Sequence, residues 1–285
     1  MSFQKIEIES VSGNLGAIIH GVDLGTLDDE TFAEVHQAWL DNGVVFFRGQ
    51  DITPEQQIAF ARRLGEIHYH PYMRGLDEHP EVLEIVKEPG DGYTFGAVWH
   101  TDQMFNPQPA KATMLYAKEV PSRGGDTMFS NQYLAYETLS APMRHAIAAV
   151  RTHNVGDGFR RSMGKSSRTE RYAKNPSMQA KIRDPGNAPT EATHPLVRTH
   201  PETGRKLLYI GSHTLTLDGF QEKEADVLID FLREHSARPE FTCRFRWEVG
   251  SIALWDNRCV QHQALADYDE RRRMHRITIA GDTPY

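Results

Sequence analysis

Phe32, Val35 and Trp39 recur at helical spacing behind a capping Asp28 or Asp29, and Gly43 supplies a stop, so this stretch predicts a helix. A compact apolar strand, Val44-Val45-Phe46-Phe47, follows it directly. Thr53-Pro54-Glu55-Gln56 carries the hydroxyl cap, the N1 proline and the glutamine of a capping box, which predicts a second helix running to Leu64 and ending at Gly65. Beyond Gly65 the pattern changes to short strands broken by turn clusters at Glu88-Pro89-Gly90-Asp91-Gly92 and Ser122-Arg123-Gly124-Gly125-Asp126. Two further helices are predicted, from about Ala141 to Val150 and from about Gln221 to His235, the latter with Ala225, Leu228, Ile229 and Leu232 on one face. Phe241, Cys243, Phe245 and Trp247 then alternate with polar residues, and Ile252-Ala253-Leu254-Trp255 follows the turn at Gly250. Such a run of strands with a few helices predicts a mainly β fold with α: a jelly-roll sandwich or barrel with helices packed outside.

Composition narrows the class. At 285 residues with 39% hydrophobic and 25% charged positions, the chain reads as one globular domain over 1–285. A formal charge of −7 gives no overall basic footprint, so nucleic acid is not an expected partner. The N-terminus lacks an apolar signal core, and no stretch approaches the ~20 apolar residues of a membrane span, which points to a cytoplasmic protein with no membrane partner. Cys243 and Cys259 each lie in an apolar run and read as buried thiols. The exception to the compact pattern is about 156–193, a polar and poorly periodic insertion carrying Arg160, Arg161, Lys165, Arg168, Arg171, Lys174, Lys181 and Arg183. It reads either as a solvated surface insertion or as a basic lid over an acidic ligand.

Candidate chemistry begins at Trp99-His100-Thr101-Asp102, at the end of a strand-like run. Residues i and i+2 of a strand point to the same side, so His100 and Asp102 can reach one point. His262, at the far end of the last strand pair, offers the second imidazole of a two-histidine, one-carboxylate set that leaves positions open on Fe(II). Arg272, Met274, Arg276 and Thr278 alternate along a later strand, placing two arginines on one face about 13 Å apart at ~3.3 Å per residue. Two inward cations need anionic partners, and so predict an acidic cosubstrate or substrate beside the metal. His68 and His70 form a second HxH without a third ligand nearby, and His194, His200 and His213 read as surface or hydrogen-bonded histidines.

The motifs WHTDQMF, RGGDTMFSN, WDNRCVQHQALADY and RRRMHRITIAGD, with VVFFRGQDITPEQQIAFARRLG near the start, closely resemble the taurine dioxygenase and 2,4-dichlorophenoxyacetate dioxygenase family over nearly the whole chain. The resemblance implies a double-stranded β-helix and Fe(II) held by His100, Asp102 and His262. It implies 2-oxoglutarate as cosubstrate, its far carboxylate meeting Arg272 and the Thr127 hydroxyl, with O2 as oxidant and succinate and CO2 released. It further implies that Arg276, close to the cosubstrate, holds the acid group of the substrate, that His70 and the backbone at Gln103 touch it, and that the protein is a homo-oligomer, dimer or tetramer. The loop after His262 is one residue shorter than in the taurine branch; strand parity then selects Arg272 over Arg273, which would face away from Arg276. The tyrosine that contacts taurine would fall at Met73, beside Tyr72, and the asparagine ahead of the WH pair is replaced around Gly96. HPLVRTHPETGRKLLYIGSH is closer to the phenoxyacetate branch, so the expected substrates widen from sulfonates and sulfate esters to phenoxyalkanoates and related carboxylates.

Two other readings use the same residues. A zinc hydrolase or isomerase also employs two histidines and a carboxylate, but has no need of the inward arginine pair with Thr127. A non-catalytic barrel that only binds would have no need of an intact ligand set.

Overall fold

The computed structural model describes residues 3–156, 176–179, 181–184 and 186–285. Its strands are, in chain order, β1 (Glu7–Ser10), β2 (Ala17–His20), β3 (Val44–Phe47), β4 (Ile67–His68), β5 (Leu83–Lys87), β6 (Ala112–Glu119), β7 (Thr127–Asn131) and β8 (Arg151–Val155). They continue with β9 (Glu191–Pro195), β10 (Val197–Thr199), β11 (Lys206–Leu208), β12 (Thr214–Leu217), β13 (Thr242–Phe245), β14 (Ile252–Asp256), β15 (Val260–Ala264) and β16 (Arg272–Ile279). Helices α1 (Asp29–Asn42), α2 (Pro54–Leu64), α3 (Gln132–Glu137), α4 (Ala141–Ile147) and α5 (Glu222–Ser236) complete the framework, with a single turn at Pro176–Gln179.

The main sheet runs β1-β2-β3-β14-β6-β16-β4, with β5 also paired to β16. Period-two alternation gives each of its strands two different faces. Val45, Phe47, Met114, Ile252, Leu254, Ile277 and Ile279 point outward and pack with Val35 and Trp39 of α1 and with Ile58, Phe60 and Ala61 of α2. Val44, Phe46, Leu115, Ala253, Trp255 and Met274 point inward. There they meet a second sheet, β13-β7-β15. Phe46 of β3 stacks on Phe245 of β13 at 4.0 Å between centroids, and Phe129 of β7 meets Trp255 of β14 at 5.6 Å. Two sheets face to face, antiparallel except where β2 runs parallel to β3, with helices outside, form the expected jelly-roll core. Among the described residues no helix is long and apolar enough to cross a membrane.

The helix ends follow their local signals. Asp28 accepts from Thr31 N at 2.7 Å, Gly43 ends α1 at φ 70°, and the Thr53/Gln56 capping box opens α2. Three expectations change. The helix after Ser140 ends at Ile147, β13 stops at Phe245 rather than Trp247, and the residues around His100 form an isolated bridge to His262 instead of a strand. Of the basic insertion, Arg160, Arg161, Lys165, Arg168, Arg171 and Lys174 lie outside the described residues. Lys181 and Arg183 lie within them and are engaged by the protein: Lys181 Nζ is 2.6 Å from Glu84 Oε2, and Arg183 Nε donates to Pro71 O at 3.0 Å.

Candidate active site

His100 and His262 approach one another through their backbones. His100 N donates to His262 O at 3.1 Å and His262 N to His100 O at 2.8 Å, while the Thr101 hydroxyl donates to Val260 O at 3.1 Å. This single antiparallel bridge replaces the strand expected at Trp99–Asp102, and it fixes both imidazoles at the middle of β15. His100 Nδ1 lies 2.7 Å from Val98 O, which orients Nε2 toward the shared point. Gly96, at φ 77°, leaves the space the ring needs, since a Cβ there would stand 3.2 Å from His100 Cε1. His262 is held by rings instead: Trp255 at 4.5 Å and Phe129 at 6.3 Å between centroids. Its Nδ1 is buried and has no hydrogen-bond partner among the described residues.

Asp102 is placed by a relay that crosses the sheet. Trp255 Nε1 donates to Asn257 Oδ1 at 2.9 Å, Asn257 Nδ2 to Thr113 Oγ1 at 2.9 Å, and the Thr113 hydroxyl to Asp102 Oδ2 at 2.7 Å. Arg276 Nη2 reaches the same carboxylate oxygen at 2.7 Å. The other oxygen, Oδ1, faces the two imidazoles, 3.7 Å from His100 Nε2 and 3.8 Å from His262 Nε2. One ligand atom from each of the three residues falls within 4.8 Å of the others.

Burial disfavours the ionised form of Asp102, but Arg276, both histidines and Thr113 outweigh it and hold the carboxyl well below its usual range. Burial lowers His100 against the pull of Asp102, and burial with the neighbouring His100 lowers His262 further. A buried carboxylate with two neutral imidazoles is the protonation state in which this donor set binds a divalent metal without first losing protons. Two nitrogens and one oxygen on one side, with room left opposite, suit ferrous iron.

Beside this cluster lies a small pocket, partly open to solvent, whose walls include His100, His262, Thr127, Arg272, Arg276 and Phe95. Arg272 and Arg276 are 7% and 5% exposed and share the inward face of β16, whereas Arg273 turns outward to Glu119 at 2.8 Å and Glu84 at 3.6 Å. The parity expectation therefore holds for the strand. Burial pulls the Arg272 guanidinium down, partly offset by the Tyr268 hydroxyl that hydrogen-bonds it. Arg272 Nε and Nη2 remain buried with no hydrogen-bond partner among the described residues. Thr127 accepts from Trp247 Nε1 at 3.0 Å, which leaves its own hydroxyl proton for an acceptor. The two arginines do not share one need for an anion: Asp102 already provides Arg276 with a counter-charge, and Arg272 has none within bonding distance among the described residues.

His70 and Gln103 are not among the cavity walls. His70 is half-buried, with Nδ1 accepting from Tyr72 N at 3.2 Å. Gln103 follows the ligand Asp102 in a left-handed conformation, φ 58°, and its side-chain oxygen accepts from Asn106. Asn257, Thr113, Tyr268 and Trp247 were not singled out by sequence. The asparagine stands in the WDNRCVQH run, but its partner Thr113 is 144 positions away. Of the two alternatives expected for His194 and His200, surface or hydrogen-bonded, both are hydrogen-bonded, and both are buried: His194 Nε2 meets the carbonyls of Met104 and Asn106, and His200 Nε2 lies 3.0 Å from Asp256 Oδ2. Cys243 and Cys259 are buried free thiols.

Comparison with known proteins follows the same lines. The family described as "Taurine catabolism dioxygenase TauD, TfdA family" matches residues 7–278. An alkylsulfatase of Acinetobacter baylyi is 33% identical over 285 residues, covering 98% of this chain and 86% of the relative. An (S)-phenoxypropionate/alpha-ketoglutarate-dioxygenase of Sphingobium herbicidovorans is 32% identical over 287 residues, covering 97% and 95%. Among solved structures, a taurine dioxygenase of Burkholderia xenovorans superposes with a TM-score of 0.81 at 36% identity, covering 99% of this chain and 91% of that one.

Proposed function

The chain belongs to the TauD, TfdA family of dioxygenases, and from that premise we propose that His100, Asp102 and His262 hold Fe(II) while Arg272 and Thr127 hold the far carboxylate of 2-oxoglutarate. The protein is a 2-oxoglutarate-dependent non-haem iron dioxygenase acting on small organic acids. When bound, iron, 2-oxoglutarate and O2 supply oxidative decarboxylation to succinate and CO2, coupled to hydroxylation of the substrate. What the chain contributes is binding, orientation and the exclusion of water.

The observation that carries this reading is Arg272. A guanidinium buried in a pocket wall with Nε and Nη2 unpartnered among the described residues is costly unless an anion meets it. Two adjacent donors on one edge of a planar fork match a carboxylate, and the free Thr127 proton adds a third bond. Hydrolysis at a zinc-bound water gives Arg272 no task.

Charge supports an acidic substrate as well. Asp102 and a doubly charged cosubstrate against a divalent metal and two arginines leave one positive charge uncompensated in a buried site, and a monoanion would neutralise it. Arg276 is the residue we assign to that anion, with His70 and the backbone of Gln103 lining its approach. The substrate is accordingly a sulfonate, sulfate ester, phenoxyalkanoate or related carboxylate.

The test is spectroscopic and catalytic together. Under anaerobic conditions, Fe(II) and 2-oxoglutarate should give the protein a weak visible charge-transfer band, and His262→Ala should abolish it. With air admitted, organic acids of these classes should stimulate succinate release. A band of unchanged strength in His262→Ala would remove His262 from the metal site, and no band in the parent would overturn the assignment as a whole.

A further inference from the structure

Thr127 and Arg272 meet a common side chain that is not itself in the pocket wall. Trp247 lies two residues beyond Phe245, the residue of β13 paired with Thr127 at the start of β7. Its ring is buried and stands nearly perpendicular to that of Phe245 at 5.0 Å between centroids, and Phe245 is itself stacked on Phe46. The indole is therefore packed into the core with little freedom to turn. From that position it reaches both residues. Nε1 donates to Thr127 Oγ1 at 3.0 Å, and the Arg272 guanidinium carbon lies 5.7 Å from the centre of the ring, within the range of a cation–π contact.

An indole N–H can only donate, whereas a threonine hydroxyl can donate or accept. By filling a lone pair of Thr127 Oγ1, Trp247 sets the polarity of that hydroxyl and leaves its proton for another acceptor. Arg272 is confined at the same time. The indole ring lies against it, and the Tyr268 hydroxyl hydrogen-bonds it. Tyr268 is pinned in turn by Lys87, whose Nζ sits 4.7 Å from the centre of the phenol ring and donates to Tyr268 O at 3.2 Å. The edge formed by Nε and Nη2 is what remains without a partner among the described residues. We propose that Trp247 is a positioning residue: its N–H makes the Thr127 hydroxyl a fixed donor and its ring holds Arg272 beside that donor, so that the two read the far carboxylate of a 2-oxo acid as one unit. This rests on the assignment of Arg272 and Thr127 to 2-oxoglutarate in the preceding section. Trp247 is not among the pocket walls, so its effect passes through those two residues.

2-Oxobutanoate is a suitable control, since it keeps the 2-oxo acid end and lacks the far carboxylate. Binding of both acids to the anaerobic Mn(II) protein can be followed by calorimetry, without turnover. The parent should prefer 2-oxoglutarate. Trp247→Phe keeps a ring beside Arg272 and removes the N–H; it should weaken 2-oxoglutarate about threefold to tenfold, the scale of one neutral hydrogen bond. Affinities for 2-oxobutanoate and for Mn(II) should stay as in the parent. Thr127→Val should lose at least as much, and the combined variant should bind like Thr127→Val alone, because the N–H acts only through that hydroxyl. A second measurement leaves Trp247 in place. In NMR spectra of the Zn(II) protein with isotope-labelled tryptophan, the indole N–H signal displaced by Thr127→Val should also move in the parent when 2-oxoglutarate is added, and not with 2-oxobutanoate. A parent that binds the two acids equally would overturn the Arg272 assignment and this inference with it. A parent that discriminates while Trp247→Phe keeps the whole preference would overturn this inference alone. So would losses that add in the combined variant or fall equally on both acids, or an indole signal indifferent to 2-oxoglutarate.

Discussion

Arg276 Nη2 lies 2.7 Å from Asp102 Oδ2, joining the residue assigned to the substrate to a residue assigned to the metal. The two oxygens of Asp102 thus have separate partners. Oδ2 receives Thr113 and Arg276, while Oδ1 is left to face the imidazoles. The pair also explains how a second arginine can be buried next to a site destined for a divalent cation, since its charge is matched before any ligand arrives.

Removing Arg276 should therefore change how protons compete with metal. Arg276 lowers the pKa of Asp102, His100 and His262, so Arg276→Gln should raise all three. Metal requires the deprotonated forms. The acid limb of Mn(II) binding, followed by titration at a series of pH values, should move to higher pH, while affinity well above that limb should not fall. An acid limb at the same pH in parent and variant would mean that Arg276 does not govern these ligands.

Arg272→Leu should raise the 2-oxoglutarate requirement far more than the iron requirement. Truncating one partner of a buried charge pair costs on the order of 2 to 5 kcal/mol, or roughly thirty-fold or more in affinity. Arg273→Leu should leave both nearly unchanged, because Arg273 faces outward to Glu119 and Glu84. If Arg273→Leu carries the defect instead, the register of β16 is wrong.

What could be read from the sequence was what depends on neighbours along the chain. The caps at Asp28 and Thr53 act over three residues, and the inward parity of Arg272 and Arg276 follows from period two. Helix α3 escaped because six residues are too short for a periodic signal, although Asn131 caps it by accepting from Tyr133 N and Leu134 N. His100 and Asp102 converge as expected, yet through a bridge to His262 that no local pattern encodes. The Asn257–Thr113–Asp102 relay depends on strand order and register, which join residues far apart in the chain. Parity also could not tell that Arg276 would find its counter-ion within the protein.

His194 should make the fold sensitive to mild acid. It is 1% exposed, its Nε2–H donates to Met104 O and Asn106 O at 2.8 and 3.0 Å, and it thereby holds the loop that follows Asp102. Burial pushes its pKa down to about 4, against 6.5 for the free side chain. The unfolded chain then takes up a proton below pH 6.5 that the folded protein refuses until about pH 4, so stability present above 6.5 is lost as pH falls through that window. Between pH 7 and pH 5 this one group should cost about 2 kcal/mol. Urea unfolding at the two pH values should show a loss of this size in the parent and a smaller one in His194→Gln. An equal loss in both would place the acid sensitivity elsewhere.

The second group of metal-capable side chains, His200, Asp256 and Cys259, should bind no metal and should matter to stability instead. Asp256 Oδ1 receives Arg258 N and Nε at 2.9 and 2.8 Å, and Oδ2 receives Arg258 Nη2 at 2.7 Å and His200 Nε2 at 3.0 Å. His200 Nδ1 accepts from Thr203 N at 3.1 Å and Glu202 N at 3.3 Å, so neither ring nitrogen has a lone pair to offer. The carboxylate is already neutralised by a guanidinium that is 2% exposed. The parent should accordingly bind one metal ion per chain. Arg258→Met strands a buried carboxylate and should lower unfolding stability by roughly 3 to 5 kcal/mol, while the combined Asp256→Asn, Arg258→Met variant should recover a large part because no charge is left unpaired. Denaturant unfolding of the three proteins measures this, and metal analysis of the parent gives the stoichiometry. A second bound ion, or a double variant no more stable than Arg258→Met alone, would show that the cluster does something other than balance buried charge.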